Sequence, residues 1–530
     1  MKFYVFCCRF ISYLMIIILS VLTFFSLIST TFVNSFDQVY YTGDIAFIHA
    51  ISVTALIALL CVAYQKLKFR VTDRIIVLTL AFITILMAAY IGITNLSPRF
   101  DQGAVRAVAG NLMVGILDDF APGGYAEIYP YNHGIILFYR MVLGLAGYEN
   151  YIVISYINLV FMVLTVTALY LIMKRVFPYY RECTLGLILF MPYWGYSTFM
   201  YGNIPGFCFG MWGLYLSILF LEEYKIYEAI LAGMLFAVCF RFKEHFAILM
   251  IATLIMTICE MIKCKNIKGT VLIISMLCFM LLANLTIDRT LMVIADYKPS
   301  KGIPSLPYVA MGLHEHETRG AGWHDNYPET TYEEIGHDID VSNQLAKEDI
   351  RASINNFITH PTYAAGFFVR KIASMWNDPT YYSWTLQQRR DERLDSVFFL
   401  PGIFIVYTVF NLCQTYLYLF ALIYFVSHRK ENDLIKLLFA LYFIGGFLCH
   451  LLWEAASQYA LFYAMGLAVY AVMGMIDVCR AVGGWDRDKK IKAATAVMGI
   501  GIILSIPQIS ALLTLSRDNA RYAEYMIKPY

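Results

Sequence analysis

Apolar runs long enough to cross a bilayer recur along most of this chain, separated by short polar clusters. A spanning helix needs roughly 17–25 predominantly apolar residues. On that measure about thirteen spans are expected, near 11–33, 46–64, 75–96, 150–173, 183–200, 206–221, 227–242, 246–261, 270–293, 398–426, 436–453, 459–477 and 493–513. The first resembles a signal peptide. It is too long for one and no small-residue cleavage site follows, so it reads as a retained span.

Two stretches break the pattern, residues 97–149 and 294–397. In the first, apolar residues fall at Val105, Val108, Ala109, Leu112, Met113 and Ile116, the spacing of one helical face. Arg106 and Asn111 occupy other faces, so this helix should lie in the membrane interface rather than span it. Residues 131–147 predict a second such helix, introduced by Tyr129–Asn132. The stretch 294–397 holds five of the ten histidines, six of the fifteen prolines and three of the seven tryptophans, which predicts a small folded unit rather than a loose loop. Helical patches are expected within it at 343–359 and 361–376. The chain thus divides into an N-terminal transmembrane module (1–293), a loop domain (294–397) and a C-terminal transmembrane module (398–530).

Composition supports this division. Of 530 residues 60% are hydrophobic and 15% charged, and the mean hydropathy is +0.62. Soluble domains carry about 25% charged residues, so an all-α polytopic membrane protein is expected. The net charge of +2 and the absence of a basic tract give no reason to expect a nucleic-acid partner. No CxxC pair occurs among the twelve cysteines, so neither a zinc ribbon nor a disulfide framework is indicated.

Basic residues set the orientation, because short cytoplasmic loops are enriched in Lys and Arg. With the N-terminus cytoplasmic, Lys66/Lys68/Arg70/Arg74, Lys174/Arg175/Arg181, Lys263/Lys265/Lys268, Arg429/Lys430 and Arg480/Arg487/Lys489/Lys490/Lys492 all fall inside. Glu222-Glu223 is the one dissenting loop. Both non-spanning stretches then face outward.

Several polar groups at that outer border are candidates for chemistry. Asp101 opens the first interfacial helix, where the helix dipole favours its ionised form. A carboxylate there can take a proton from an acceptor hydroxyl; it can equally be a helix cap. Phe240–Ile248 (FRFKEHFAI) sets Arg241 and Lys243 in a tight outward turn, a pair suited to a phosphate. Arg370 and Lys371 could serve the same purpose or anchor the chain at the interface. Glu454 and Gln458 sit in an outer turn between two late spans, and acids so placed commonly have a role. Tyr129, Asn132, His133, His314 and His316 complete the candidates. Gly312–Glu329 clusters His314, Glu315, His316, Glu317, His324 and Asp325 without a defined ligand set, so no resident metal is expected and a divalent cation is the lesser alternative to a hydrophilic rim.

The early outer acid, the paired juxtamembrane helices with a Tyr-Pro start to the second, the many spans and the large later outer loop resemble the GT-C glycosyltransferases. The similarity is greatest to the protein O-mannosyltransferase and aminoarabinose transferase branch and its bacterial relatives. The resemblance extends to Gly445–Tyr463, with its Trp-Glu…Gln-Tyr ending, and to His360–Trp384. It implies a GT-C-like fold and an inverting transfer of a sugar from a polyprenyl-phosphate donor to a cell-envelope acceptor. It implies further that Asp101 is the base, that no cofactor is needed, and that the site lies on the outer face of a bacterial plasma membrane. Where the mannosyltransferases carry an Asp-Glu pair, this chain has Asp101-Gln102. Two other readings remain. A polysaccharide polymerase or ligase would favour arginine-rich outer loops, whereas residues 294–395 hold 15 acids against 10 Lys/Arg. A lipid or solute transporter would favour charges at mid-membrane depth.

Overall fold

The computed structural model describes residues 2–33, 37–67, 70–316, 319–383 and 401–515. Helix α1 (Lys2–Ile28) leads into an antiparallel hairpin, β1 (Ser29–Val33) and β2 (Val39–Gly43), with Ser29 opposite Gly43 and Val33 opposite Val39. The first apolar run therefore ends as helix at Ile28 rather than continuing to 33. Its last residues, Ser-Thr-Thr-Phe-Val, are types that fit an extended, pleated surface. The hairpin is held by a much later segment, the Thr31 amide donating to the Asn377 carbonyl at 3.1 Å.

The helices that follow are α2 (Ala46–Cys61), α3 (Asp73–Thr94), α4 (Phe100–Val114), α5 (Tyr125–Ile128), α6 (His133–Ala146) and α7 (Ile152–Val176). Next come α8 (Tyr180–Ile188), α9 (Met191–Gly195), α10 (Asn203–Glu223), α11 (Ile226–Phe242), α12 (Ala247–Cys264) and α13 (Thr270–Ala295). The loop domain contributes α14 (Ser305–Gly312), α15 (Tyr327–Glu334), α16 (Ile339–Thr359) and α17 (Pro361–Trp376). The chain continues with α18 (Pro401–Ser427), α19 (Leu438–Leu452), α20 (Ser457–Gly483) and α21 (Arg487–Leu515).

Among the described residues nine helices are long and apolar enough to cross a membrane, and α2 and α19 are shorter apolar helices. The chain is an all-α polytopic membrane protein with, among the described residues, one hairpin. The run 183–200, expected as a single span, is broken into α8, α9 and a 3-10 turn at Tyr196–Thr198. Pro192 lies in the first turn of α9; proline has no N–H and fixes its own φ, so it starts a helix but does not continue one.

The core lies around α20, whose residues Ala460–Ala471 are all buried. Helices α10 and α20 bury 72% of their apolar windows, whereas α3, α13 and α21 bury 17%, 17% and 11% and form the rim of the bundle. Two ends can be distinguished. One carries the loop 97–149 and the described part of 294–383; the other carries the described residues of the basic clusters. Glu222 and Glu223, the dissenting pair, sit at the basic end, where Arg175 pairs with both and Lys225 pairs with Glu223. Their charge is thus offset locally.

At the loop-bearing end, α4 buries Val105, Val108, Ala109 and Leu112, the stripe expected from the spacing, while Ile116 is exposed beyond the left-handed Gly115 that ends the helix. The loop domain packs on this region through a small core of Ile303, Tyr308, Met311 and Tyr332, against which Ile128, Tyr129 and Trp453 also pack. The Ile303 amide donates to the Ile128 carbonyl at 3.2 Å, and the Ala455 amide donates to the Gly322 carbonyl at 2.8 Å. Three segments far apart in sequence are thereby stitched into one surface.

Candidate active site

Asp101 occupies the first turn of α4, directly after Phe100, whose φ is +45°. A bulky residue in the left-handed region is strained, and such strain persists only where the surroundings hold it. The side chains of Asp101 and Gln102 part company there. Water reaches Asp101, while Gln102 is buried and its Oε1 accepts a hydrogen bond from the Met200 amide at 2.8 Å. That bond fixes the segment leading into Tyr201. The Tyr201 hydroxyl donates to Asn132 Oδ1 at 2.9 Å, and Asn132 Nδ2 donates to the Tyr125 hydroxyl at 3.0 Å.

Two glycines allow the elements to close on this point. A Cβ at Gly134 would lie 2.2 Å from the Arg241 carbonyl oxygen, and one at Gly202 would lie 1.8 Å from that of Phe242. Only glycine permits such approach of backbones. As a result the turn after α11 packs against both α6 and the Tyr201 segment. Lys243 Nζ then lies 4.2 Å from the centre of the Tyr201 ring and 6.0 Å from that of Tyr131, within reach of cation–π attraction.

The loop domain and the late turn supply the remaining walls. Tyr129 donates to Glu329 Oε1 at 2.8 Å, and His324 Nε2 pairs with the same oxygen at 3.2 Å. Glu454 Oε2 accepts from the Tyr459 hydroxyl at 3.3 Å. Asp101, Lys243, His324, Glu329 and Glu454 thus form one electrostatic cluster. Burial pushes the Asp101 carboxyl above its usual range, opposed by Lys243, His324 and the Tyr125 hydroxyl. The protein walls around the carboxyl remove much of its hydration, which disfavours the charged form. Burial likewise raises Glu454 and lowers Lys243. For His324, burial acts downward, but the bond to Glu329 and the charges of Glu454 and Asp101 override it and raise the pKa to about 9. Burial acts upward on Glu329, and His324 and Tyr129 override it to hold that carboxyl below its usual range.

A cavity of ≈ 730 Å³ opens beside this cluster, lined among others by Arg241, Lys243, Glu454, Trp453, Tyr308 and, on α13, Asp288. Buried polar atoms without a protein partner lie in residues that line it: Arg241 Nε, both ring nitrogens of His245, and His450 Nε2. Buried polar atoms are rarely left unmatched, so their concentration at one cavity marks a place where a polar ligand is received. Arg241 is also 3.9 Å from Glu244, a long pairing that leaves its charge incompletely matched.

Other residues expected at the site are placed differently. Arg370 pairs with Glu315, its Nε 2.8 Å from Oε1. Lys371 is buried and donates to the carbonyls of Gly312 and of Trp453, the latter at 2.8 Å. Burial lowers its pKa to about 7. Neither residue lines the cavity; Arg370 is tied to Glu315 within the loop domain, and Lys371 ties that domain to the turn at Trp453. His133 is buried, bonded through Nε2 to the Ala126 carbonyl at 2.7 Å, and lowered by burial to about 4, so it holds the turn before α6 as a neutral imidazole. Gln458 stands half-buried in the first turn of α20.

The cluster Gly312–Glu329 is dispersed. His314 packs edge-on against Tyr327, His316 is exposed, Asp325 Oδ1 accepts from the Tyr327 amide at 2.9 Å, and Glu317 lies outside the described residues. Among the described residues no group of three or more His, Cys, Asp or Glu side chains is arranged to hold a metal ion. Sequence reasoning missed Glu329, Tyr125, Tyr201 and the role of His324. None lies in a motif: Glu329 and His324 reach the cluster through the folded loop domain, and Tyr125 and Tyr201 through the packing of the first loop against the segment before α10.

Comparison of the chain with family models, curated proteins and solved structures gave no match.

Proposed function

We propose that the protein is a membrane glycosyltransferase of the GT-C kind. It moves a sugar from a polyprenyl-phosphate donor to a cell-envelope acceptor on the outer face of a bacterial plasma membrane. In this reading the chain crosses the membrane thirteen times with its N-terminus cytoplasmic, and α4 and α6 lie in the outer interface. The observation that carries the proposal is that a candidate base, Asp101, is electrostatically coupled to Lys243, which with Arg241 lines one cavity. Asp101, in an environment that raises its basicity, faces the same cluster as Lys243, and Lys243 shares a cavity with Arg241.

The reaction is a single displacement. Asp101 accepts the proton of the acceptor hydroxyl as its oxygen bonds to the anomeric carbon, and the bond from that carbon to the phosphate oxygen breaks. The electron pair leaves with the polyprenyl phosphate, and Lys243 and Arg241 stabilise the charge that develops on it. The anomeric centre inverts. No cofactor is required. The rim helix α13, which carries Asp288 at the cavity wall, provides a lateral side along which a polyprenyl chain lies in the bilayer.

Mass spectrometry of envelope glycans and polyprenyl-linked sugars, with and without the gene, tests this. Loss of one sugar from an envelope glycan together with accumulation of its polyprenyl-phosphate form is expected. Unchanged glycan and lipid pools would contradict it.

A further inference from the structure

A second cavity, of ≈ 680 Å³, lies between α2, α18, α20 and α21. Helix α21 is fastened to the bundle through α2. A Cβ at Gly501 would come within 2.7 Å of the Ala50 Cβ, and Ser505 Oγ accepts from the Phe47 amide at 2.9 Å. Both contacts lie toward the loop-bearing end. Nearer the basic end, Ala493, Ala494 and Val497 of α21 line the cavity together with Ile57, Ile423 and Val478 from the other helices. Small and short side chains on α21 leave the gap unfilled.

The cavity runs from Leu27 and His49 to Gln65, Trp485 and Lys490, which is most of the length of the bundle. Its volume is roughly twenty times the share of one water molecule in the liquid, and a buried water needs two to four polar partners. The wall is apolar along nearly all of its length, so apolar matter has to fill it. In a bilayer the available filler is an acyl chain.

The two ends differ in what they offer a headgroup. At the loop-bearing end, the His49 ring is already engaged by Asp44 at 3.0 Å and by Thr415 at 3.0 Å. At the basic end, Lys490 has no carboxylate within ion-pair distance among the described residues, and Arg487, Lys489 and Lys492 surround it in sequence. Lys489 Nζ lies 4.7 Å from the centre of the Trp485 ring. Tryptophan beside lysine is the pairing found at headgroup level.

We propose that this cavity is a binding site for one anionic glycerophospholipid, with an acyl chain between α21 and α20 and the phosphate against Lys490 and Trp485. The site is separate from the cleft at Asp101, so it stands or falls independently of the reaction assigned to that cleft.

Native mass spectrometry of the full-length protein, equilibrated with equal amounts of phosphatidylglycerol and phosphatidylcholine of matched chain length, tests the proposal. Wild type should retain one phosphatidylglycerol in preference to phosphatidylcholine. Lys490→Gln, a change at an exposed position, should lower that preference about fivefold, the worth of one basic group at an anionic surface. Ala494→Phe, which fills the cavity, should lower the occupancy of this single lipid whatever its headgroup. Equal retention of both lipids by the wild type would mean annular lipid only and would overturn the site. So would a preference that neither substitution changes, or stoichiometric displacement of the phosphatidylglycerol by added polyprenyl phosphate.

Discussion

Gln102 Oε1 accepts the Met200 amide at 2.8 Å, while Asp101, one residue earlier, is exposed. The bond couples α4 to the segment that presents Tyr201 to Lys243. Gln102→Ala should leave the Met200 N–H buried without a partner, at a cost of about 1–3 kcal/mol. A fall in the thermal midpoint, with transfer reduced although Asp101 is unchanged, is the expected outcome. An unaltered midpoint would remove Gln102 from this role.

The two basic pairs should separate cleanly in kinetics. Lys243→Ala removes a charge from the cavity and should raise the donor KM and lower kcat/KM by about 10²-fold or more, the scale of a lost charge-stabilising group. Arg370→Ala breaks an exposed pair with Glu315, worth about 0–1 kcal/mol, and should leave donor kinetics within about twofold. Equal effects from the two substitutions would return Arg370 to the phosphate site.

Much of this was legible in the sequence, and the remainder has identifiable causes. The stripe Val105, Val108, Ala109 and Leu112 predicted the buried face of α4 because helical periodicity depends on neighbours alone. Asp101, Arg241, Lys243 and Glu454 could be singled out because charges at the ends of apolar runs are conspicuous. The pairing of His324 with Glu329, and of both with Tyr129, could not be seen, because it depends on how the loop domain docks. The bonds of Lys371 were hidden for a related reason. A lysine next to an arginine at a membrane border looks like an anion ligand, and only the fold shows two backbone carbonyls receiving it. The break at Pro192 and the strand at Ser29–Val33 were hidden inside runs apolar enough to pass as helix.

The His324–Glu329 pair predicts a pH dependence with a definite sign. The folded-state pKa of His324, about 9, is above its reference value of 6.5. Its stabilising contribution is therefore complete below about pH 6.5 and lost as pH rises through about 9. Thermal midpoints of wild type and His324→Gln should differ most near pH 6 and converge above pH 9. A difference that grows with pH would contradict the pairing.

Asp378 is fully buried and accepts from the Tyr382 amide at 2.7 Å, the Thr380 amide at 2.9 Å and the Ser457 hydroxyl at 2.7 Å. It ties the turn after α17 to the start of α20, and with it the Glu454 turn. Asp378→Ala should strand these donors and destabilise the protein by about 2–4 kcal/mol, read as a lowered thermal midpoint in detergent. Retained stability would show that the turn is held elsewhere.

The central claim is that Asp101 is the general base of a sugar transfer. The direct measurement is the rate of transfer from a polyprenyl-phosphate sugar by purified wild type and Asp101→Asn across pH. The wild-type rate should rise with pH through the carboxyl's titration, above the usual carboxylate range because burial raises that pKa. Asp101→Asn should bind donor normally but lose about 10²–10⁴-fold in rate together with that acid limb. A folded Asp101→Asn protein with full transfer and an unchanged pH profile would contradict the account.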